Sequence, residues 1–363
     1  GYGPINALII LNNNMYFLQD KALGVLMINP VSVVNDNNGA PLKLASGLGV
    51  LDKHNYYSID AGTKHQWSVF RSNNDITFVD TRHKKIYLFD GKSLEPISDT
   101  KNNRANVNLL LHDDILITDN PIISRGILTT YDYTNNEFLY TFLNTESEVE
   151  VPDEKNTLVF SDLKDKFTGF YSATPYIYIN NHNRLYSPKD FSDLIKTKLY
   201  LHNEGNYGEF YDTIYPSTIK VLINDNPLYT KTWDNLSWIN DTIKDEVLGS
   251  TPEVPILNET FNRVRCYNEY QNSDFITLAS TNPITNLRKS EQQWNVQIPR
   301  NKVNYNTNPI DTFSIFDPSI LTKTSFGDRM RDKFIVVDLE YDNDDNRRFI
   351  VHNLKSTYRI SNR

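Results

Sequence analysis

The chain reads as an all-β protein on three observations. Short apolar runs alternate with polar residues and stop at turn residues along most of its length. Tyr and Phe, at 22 and 18 residues, dominate the aromatics, and both suit the pleated, half-buried surface of a sheet. No segment carries a long, capped amphipathic period of 3.6 residues, so helix is expected to be minor.

Taken in order, residues 7–11 and 15–18 are apolar runs around Asn12, Asn13 and Asn14, a hairpin signature. A third run, 22–28, stops at Asn29 and Pro30, and 35–41 reads as a turn or loop. From about residue 66 one unit recurs: a β-run ending in Asp or Asn, four or five mostly polar residues, and a second β-run. Its copies are 76–80 with 86–89, 128–132 with 138–142, 158–162 with 167–171, and 177–180 with 185–186. An Asp or Asn at the turn entrance can accept a backbone hydrogen bond from two residues on and nucleate the reversal. The repeat is either a blade-like unit or the ordinary hairpin content of an all-β chain.

Beyond residue 190 the texture loosens. A glycine-punctuated loop spans 203–210, a strand spans 217–224, and 230–236 reads as a strand entering a turn. Residues 239–258 read as a loop or short helix, 262–271 as a strand, and 278–310 as a polar excursion. Residues 333–341 and 348–354, around the polar turn 342–346, form the clearest hairpin signature in the chain. The expected fold is thus antiparallel hairpin repeats, as β-propeller-like blades, plus a further β-rich region. The expected divisions are 1–65, a segment that could complete a domain begun upstream, 66–190 and 191–363.

At 363 residues the chain exceeds what one core ordinarily fills, unless a propeller or large barrel organises it. Its net charge of −8 argues against a duplex-binding module, which needs a basic footprint. One cysteine, Cys266, excludes an internal disulfide and a multi-thiolate metal site. No apolar run reaches the length of a membrane span. The chain starts at Gly1, without initiator Met or signal peptide, as expected of an expression fragment or a piece released by proteolysis.

Chemistry-bearing patterns are sparse. Asp342, Asp344 and Asn346 imitate the start of a calcium loop, but Arg347 stands where that loop needs Gly and Asn353 where it needs Glu. His112, Asp113 and Asp114 lack a second histidine at ligand spacing. Cys266 lies in an alternating run, where a lone Cys belongs to a core. A pair of carboxylates for glycoside hydrolysis, distant in sequence, stays open. Trp67, Trp233, Trp238 and Trp294 are sugar platforms or core residues. Gly205, Tyr207 and Gly208 make the candidate subunit-contact loop, because glycine lets another segment approach the backbone. No catalytic, cofactor-binding or metal-ligating residue is assigned, and no cofactor is expected.

Several stretches carry a resemblance: Phe-Leu-Gln-Asp at 17–20, Gly-Val-Leu-Met-Ile-Asn-Pro at 24–30, and Gly-Thr-Lys-His-Gln-Trp-Ser at 62–68. Further ones are Phe-Thr-Gly-Phe-Tyr-Ser at 167–172 with Pro175, Leu-His-Asn-Glu-Gly at 201–205 and Gly-Glu-Phe-Tyr at 208–211. The last are Ser-Thr-Ile at 217–219, Arg-Met-Arg-Asp-Lys at 329–333 and Tyr358-Arg359. Together they resemble the closing part of the muzzle, or tail nozzle, proteins of crAss-like short-tailed phages. The resemblance implies a structural virion protein without enzymatic activity, in a six-fold homo-oligomeric ring at the distal end of the tail. The ring would close a channel for DNA, which passes without specific binding. It implies contacts with other tail proteins and with a host surface receptor, and β-propeller domains like those of related nozzles. Two rivals remain: a receptor- or glycan-binding tail module, and a glycan-degrading tail enzyme.

Overall fold

The computed structural model describes residues 1–28, 31–35, 41–45, 51–111, 119–120, 125–143, 157–181, 184–189, 198–244, 253–302 and 327–361. Strands dominate, and the fold is all-β. The helices among the described residues are Ile97–Thr100, Arg104–Leu110 and a single 3-10 turn, Gln66–Ser68. The chain divides into two compact units, Gly1–Glu204 and Gly205–Arg363.

Among its described residues the first unit holds four antiparallel sheets in chain order. Ile5–Leu11, Asn14–Gln19, Leu23–Ile28 and Leu51–Ser58 form the first, with a separate hairpin, Val31–Asn35 and Pro41–Ala45, inserted before its last strand. Phe70–Arg71, Ile76–Asp80, Lys85–Phe89 and Leu94–Glu95 form the second. Gly126–Asp132, Glu137–Leu143, Thr157–Ser161 and Lys166–Tyr171 form the third. Ile179–Asn181, Arg184–Pro188 and Leu199–Leu201 form the fourth. Each sheet is a meander whose spatial order follows the sequence. The second and third hairpin copies share one sheet, because Glu137–Leu143 also pairs with Thr157–Ser161. The recurring unit therefore marks hairpins rather than whole sheets.

Local chemistry explains the turns. Asn12 and Asn13 both take positive φ, as a two-residue hairpin loop of the primed type requires. In the next three hairpins the residue before the second strand, Lys84, Asn136 or Asp165, is left-handed. Asp80 Oδ1 accepts the Arg82 amide at 2.9 Å, and Asp132 Oδ1 accepts the Thr134 amide at 2.9 Å. At Asp162 the carboxylate instead accepts the Tyr131 hydroxyl at 3.0 Å.

Successive side chains of a strand point to opposite faces, and in this unit the two faces meet different neighbours. Ile76, Phe78 and Phe89 of the second sheet pack with Leu11, Tyr16, Leu18 and Leu23 of the first. Val79 and Ile86, on the other face, pack with Ile127, Phe138, Tyr140 and Phe160 of the third. Leu139 and Val159, on the far side of the third sheet, pack with Leu185 of the fourth. Ile97, Val107 and Leu111 bring the short helical segment into the core between the second and third sheets. The buried Thr77 and Tyr140 hydroxyls meet across that interface at 2.7 Å. The first strands of successive sheets also lie side by side.

The second unit is organised differently. Ser217–Ile223, Ile335–Tyr341, Arg263–Tyr267 and Ile276–Thr277 form one sheet. Arg288–Ser290, Gln293–Gln297, Lys231–Lys244 and Arg348–Ile360 form the other, with Val254–Pro255 and Arg331–Asp332 also pairing with Lys231–Lys244. One core joins the two: Trp233, Leu236, Trp238, Trp294 and Val296 from the second face Val264, Cys266, Val337 and Leu339 from the first.

Three sequence expectations are corrected here. The arms around 342–346 do not pair with each other. Ile335–Tyr341 pairs with Ser217–Ile223 and Arg263–Tyr267, whereas Arg348–Ile360 pairs with Lys231–Lys244. The intervening turn is a corner between sheets, held by the stacked rings of Tyr341 and Phe349, 4.1 Å apart. The strand expected over 230–236 continues to Lys244, with Leu236 and Trp238 turned to the core, so 239–244 is neither loop nor helix. The polar stretch 278–310 contains Gln293–Gln297, whose Trp294 and Val296 enter the same core.

Candidate interaction surfaces

The loop of Gly205, Tyr207 and Gly208 sits against the corner turn of its own unit. The Tyr207 amide donates to Asn346 Oδ1 at 2.8 Å. A Cβ on Gly208 would lie 2.2 Å from Asn343 Nδ2, so glycine is required for that approach. The buried Asn343 donates to the Tyr215 carbonyl at 2.5 Å and to Ser217 Oγ at 3.1 Å. Gly205 has open space around it, and Tyr207 is exposed. The loop is thus anchored at Gly208 and presents Gly205 and Tyr207 outward.

Within each unit, some of the motifs that carry the family resemblance meet. Near the start, Phe17 lies over Gly24, where a Cβ would come within 2.3 Å of the ring, and its ring meets Tyr56 edge-on at 5.5 Å. The Thr63 amide donates to the Gln19 carbonyl at 2.9 Å, and Asn6 Nδ2 bridges Asp20 Oδ1 and the Thr63 carbonyl, each at 2.7 Å. Near the end, Arg329 and Arg359 both reach Asp234, at 3.1 Å and 2.7 Å. The buried Lys231 lies over the rings of Trp233 and Tyr358, each 5.6 Å from its Nζ, and donates to the Lys333 carbonyl. Burial pushes its ammonium below the usual lysine range, while Asp225 and Asp332 pull it back. Each of these clusters is a joint between segments of one unit.

The other candidates resolve as follows. Cys266 is fully buried, its thiol pushed up by burial and then by Asp338, so it is a core residue. Trp233, Trp238 and Trp294 are core residues as well, and Trp67 is 42% exposed. His112, Asp113 and Asp114 lie outside the described residues. Among the described residues no cluster of His, Cys, Asp and Glu could hold a metal. Also among them, no helix is long and apolar enough to cross a membrane. One pair escaped the sequence reading: Ser187 Oγ and His202 Nε2 lie 2.6 Å apart. Burial lowers the His202 pKa, and Ser187 is buried.

A family model described as the Crassvirus muzzle protein matches residues 1–191. A second, described as the Crassvirus muzzle protein C-terminal domain, matches residues 205–301. The muzzle protein of Bacteroides phage crAss001 is 23% identical over 342 residues, which is 92% of this chain and 22% of that protein. The chain therefore spans roughly a fifth of the length of this curated relative.

Proposed function

The chain belongs to the Crassvirus muzzle protein family, and on that premise we propose that it forms part of the distal muzzle that closes the DNA-ejection channel of a phage tail. A chain of this family is a structural component of the tail, and so of the virion. The observation that carries the reading is that the two family models match the two compact units in turn. The serial sheets of the first unit support propeller-like blades. A ring of copies, six by resemblance, joins through heterologous contacts, to which the Gly205, Tyr207 and Gly208 loop contributes. Other tail proteins adjoin it. The acidic balance, −8, suits a conduit in which DNA slides without adhering.

The chain carries no enzymatic activity in this reading. A buried Cys266 and a buried Ser187 support that, as do three tryptophans committed to a core. A virion reconstruction tests the proposal. Density for both units around the channel at the tail tip is expected. Density elsewhere on the particle, or hydrolysis of host glycans by the purified chain, would overturn it.

A further inference from the structure

Among the described residues the second and third sheets are covered on both faces, but the first sheet is covered on one. Leu11, Tyr16, Leu18 and Leu23 face the second sheet, while on the opposite face the Phe17 ring is buried against Gly24 and Tyr56. The register places Leu8 and Ile10 on the opposite face, beside Phe17 and Met15, with Leu26, His54 and Tyr56 completing it. Leu8 is 58% exposed and Ile10 52% exposed. A cleft of about 400 Å³ at the tip of the first hairpin takes Ile10, Met15 and Leu26 from this face and Asn14, Val25 and Met27 from the other. Soluble proteins seldom leave such a contiguous apolar face bare, and one of this kind marks an interaction surface.

We infer that this face is the seat of a further β-sheet, contributed by the muzzle polypeptide that precedes residue 1 in longer family members. Two observations select this occupant. Each sheet of the unit covers its successor in chain order, so the sheet that covers the first is the one before it. The relative is long enough to supply it, because the matched residues are 22% of that protein and the C-terminal domain already lies within this chain. The residues facing outward are apolar and aromatic rather than charged, which suits a sheet-on-sheet contact and not a nucleic acid or a headgroup layer. The inference rests on the blade reading of the first unit, and not on the position of the chain in the tail.

Thiol labelling tests it. Cys266 is fully buried, so Leu8→Cys or Ile10→Cys adds a single reactive thiol to the chain. Leu163→Cys, at an 81% exposed turn, is the control. Maleimide is applied to the 1–363 chain and to the longer muzzle polypeptide, with peptide mass spectrometry as readout. In the longer protein, labelling at Leu8→Cys and Ile10→Cys should fall about tenfold or more, as a buried position reacts only on opening, while Leu163→Cys is unchanged. Equal labelling in both proteins overturns the inference. So does protection already present in the 1–363 chain at every dilution, which would mean that the chain covers its own face. Protection that grows with concentration of the 1–363 chain would assign the face to a second copy and also overturn it. A virion map showing intact serial sheets beside an unprotected Leu8 would remove this neighbour and spare the blade reading.

Discussion

Both units are antiparallel, yet they use the chain in opposite ways. In the first, each sheet closes from one contiguous stretch, and long-range contact is made between finished sheets. In the second, the sheets themselves are long-range: Ser217–Ile223 pairs with Ile335–Tyr341, and Ser217 reaches Asn343 across 126 residues. Turn chemistry suffices to build the first kind of sheet. The second kind needs side chains that recognise distant partners, and the corner turn supplies them through Asn343 and the Tyr341–Phe349 stack.

The largest expected effect separates the units. Trp238 is fully buried, and its Nε1 donates to Thr260 Oγ1 at 2.6 Å. Trp238→Ala should cost about 4 kcal/mol, through the cavity and the lost packing. Hydrogen exchange in urea should show that loss in 205–363 and leave the sheets of 1–204 protected. Equal loss in both would mean that the units melt as one body and that the contrast is only topological.

Next comes a test inside the first unit. A side chain at Gly24 meets the Phe17 ring at 2.3 Å and the Asn55 carbonyl at 2.7 Å. Gly24→Val should cost about 2 kcal/mol by overpacking. The loss should concentrate in the first sheet, with the third, which shares no core cluster with it, less affected. A uniform loss across all four sheets, read by the same exchange experiment, would show the stack to be a single cooperative unit.

The contrast also explains what could be read from the residues alone. The Asn12–Asn13 turn and the loops after Asp80 and Asp132 carry their information within a few residues, so their hairpins were legible. Chain-local pairing has the same signature in any context. The arms 333–341 and 348–354 carried that signature too, but the pairing was decided by Lys231–Lys244 and Ser217–Ile223, far away in sequence. Trp294 looked stranded in a polar stretch because its neighbours in the core, Trp238 and Leu236, belong to another segment. The helical segment 97–110 is too short for a periodic signal, and Ile97 and Val107 show their role only once the second and third sheets close over them. Among the candidate site residues, Gly208 was singled out for close approach, and the approaching group is Asn343 of the same unit.

That corner gives the third expectation. Asn343→Ala leaves the Tyr215 carbonyl without its side-chain donor and should cost about 1.5 kcal/mol. Thermal unfolding of the variant checks it, and exchange should rise first at Ser217–Ile223 and Gly205–Gly208. An unchanged midpoint would mean that the stacked rings alone hold the corner.

The smallest expected effect lies where stacking gathers charge. Asp75 sits in the turn before Ile76–Asp80 and makes no ion pair with a described residue. Its pKa is raised to about 6 by burial first, and then by the carboxylates of Asp162 and Asp90. The folded value lies above the unfolded one, near 3.9, so the folded state holds the proton more tightly. Stability is therefore greatest with Asp75 neutral and declines as pH rises from about 4 to about 6. Asp75→Asn should stabilise the first unit at pH 7 by about 1 kcal/mol, once solvent screening at this half-exposed site is allowed for. The gain should vanish at pH 4, where the native carboxyl is already protonated. Urea midpoints at the two pH values measure the difference, and an equal gain at both would assign the effect to the turn rather than to the charge. Asp162 belongs to the turn of the third sheet, so Asp162→Asn should lower the pH at which Asp75 titrates. That shift would occur only because the sheets are stacked, and its absence would confine Asp75 to its own turn.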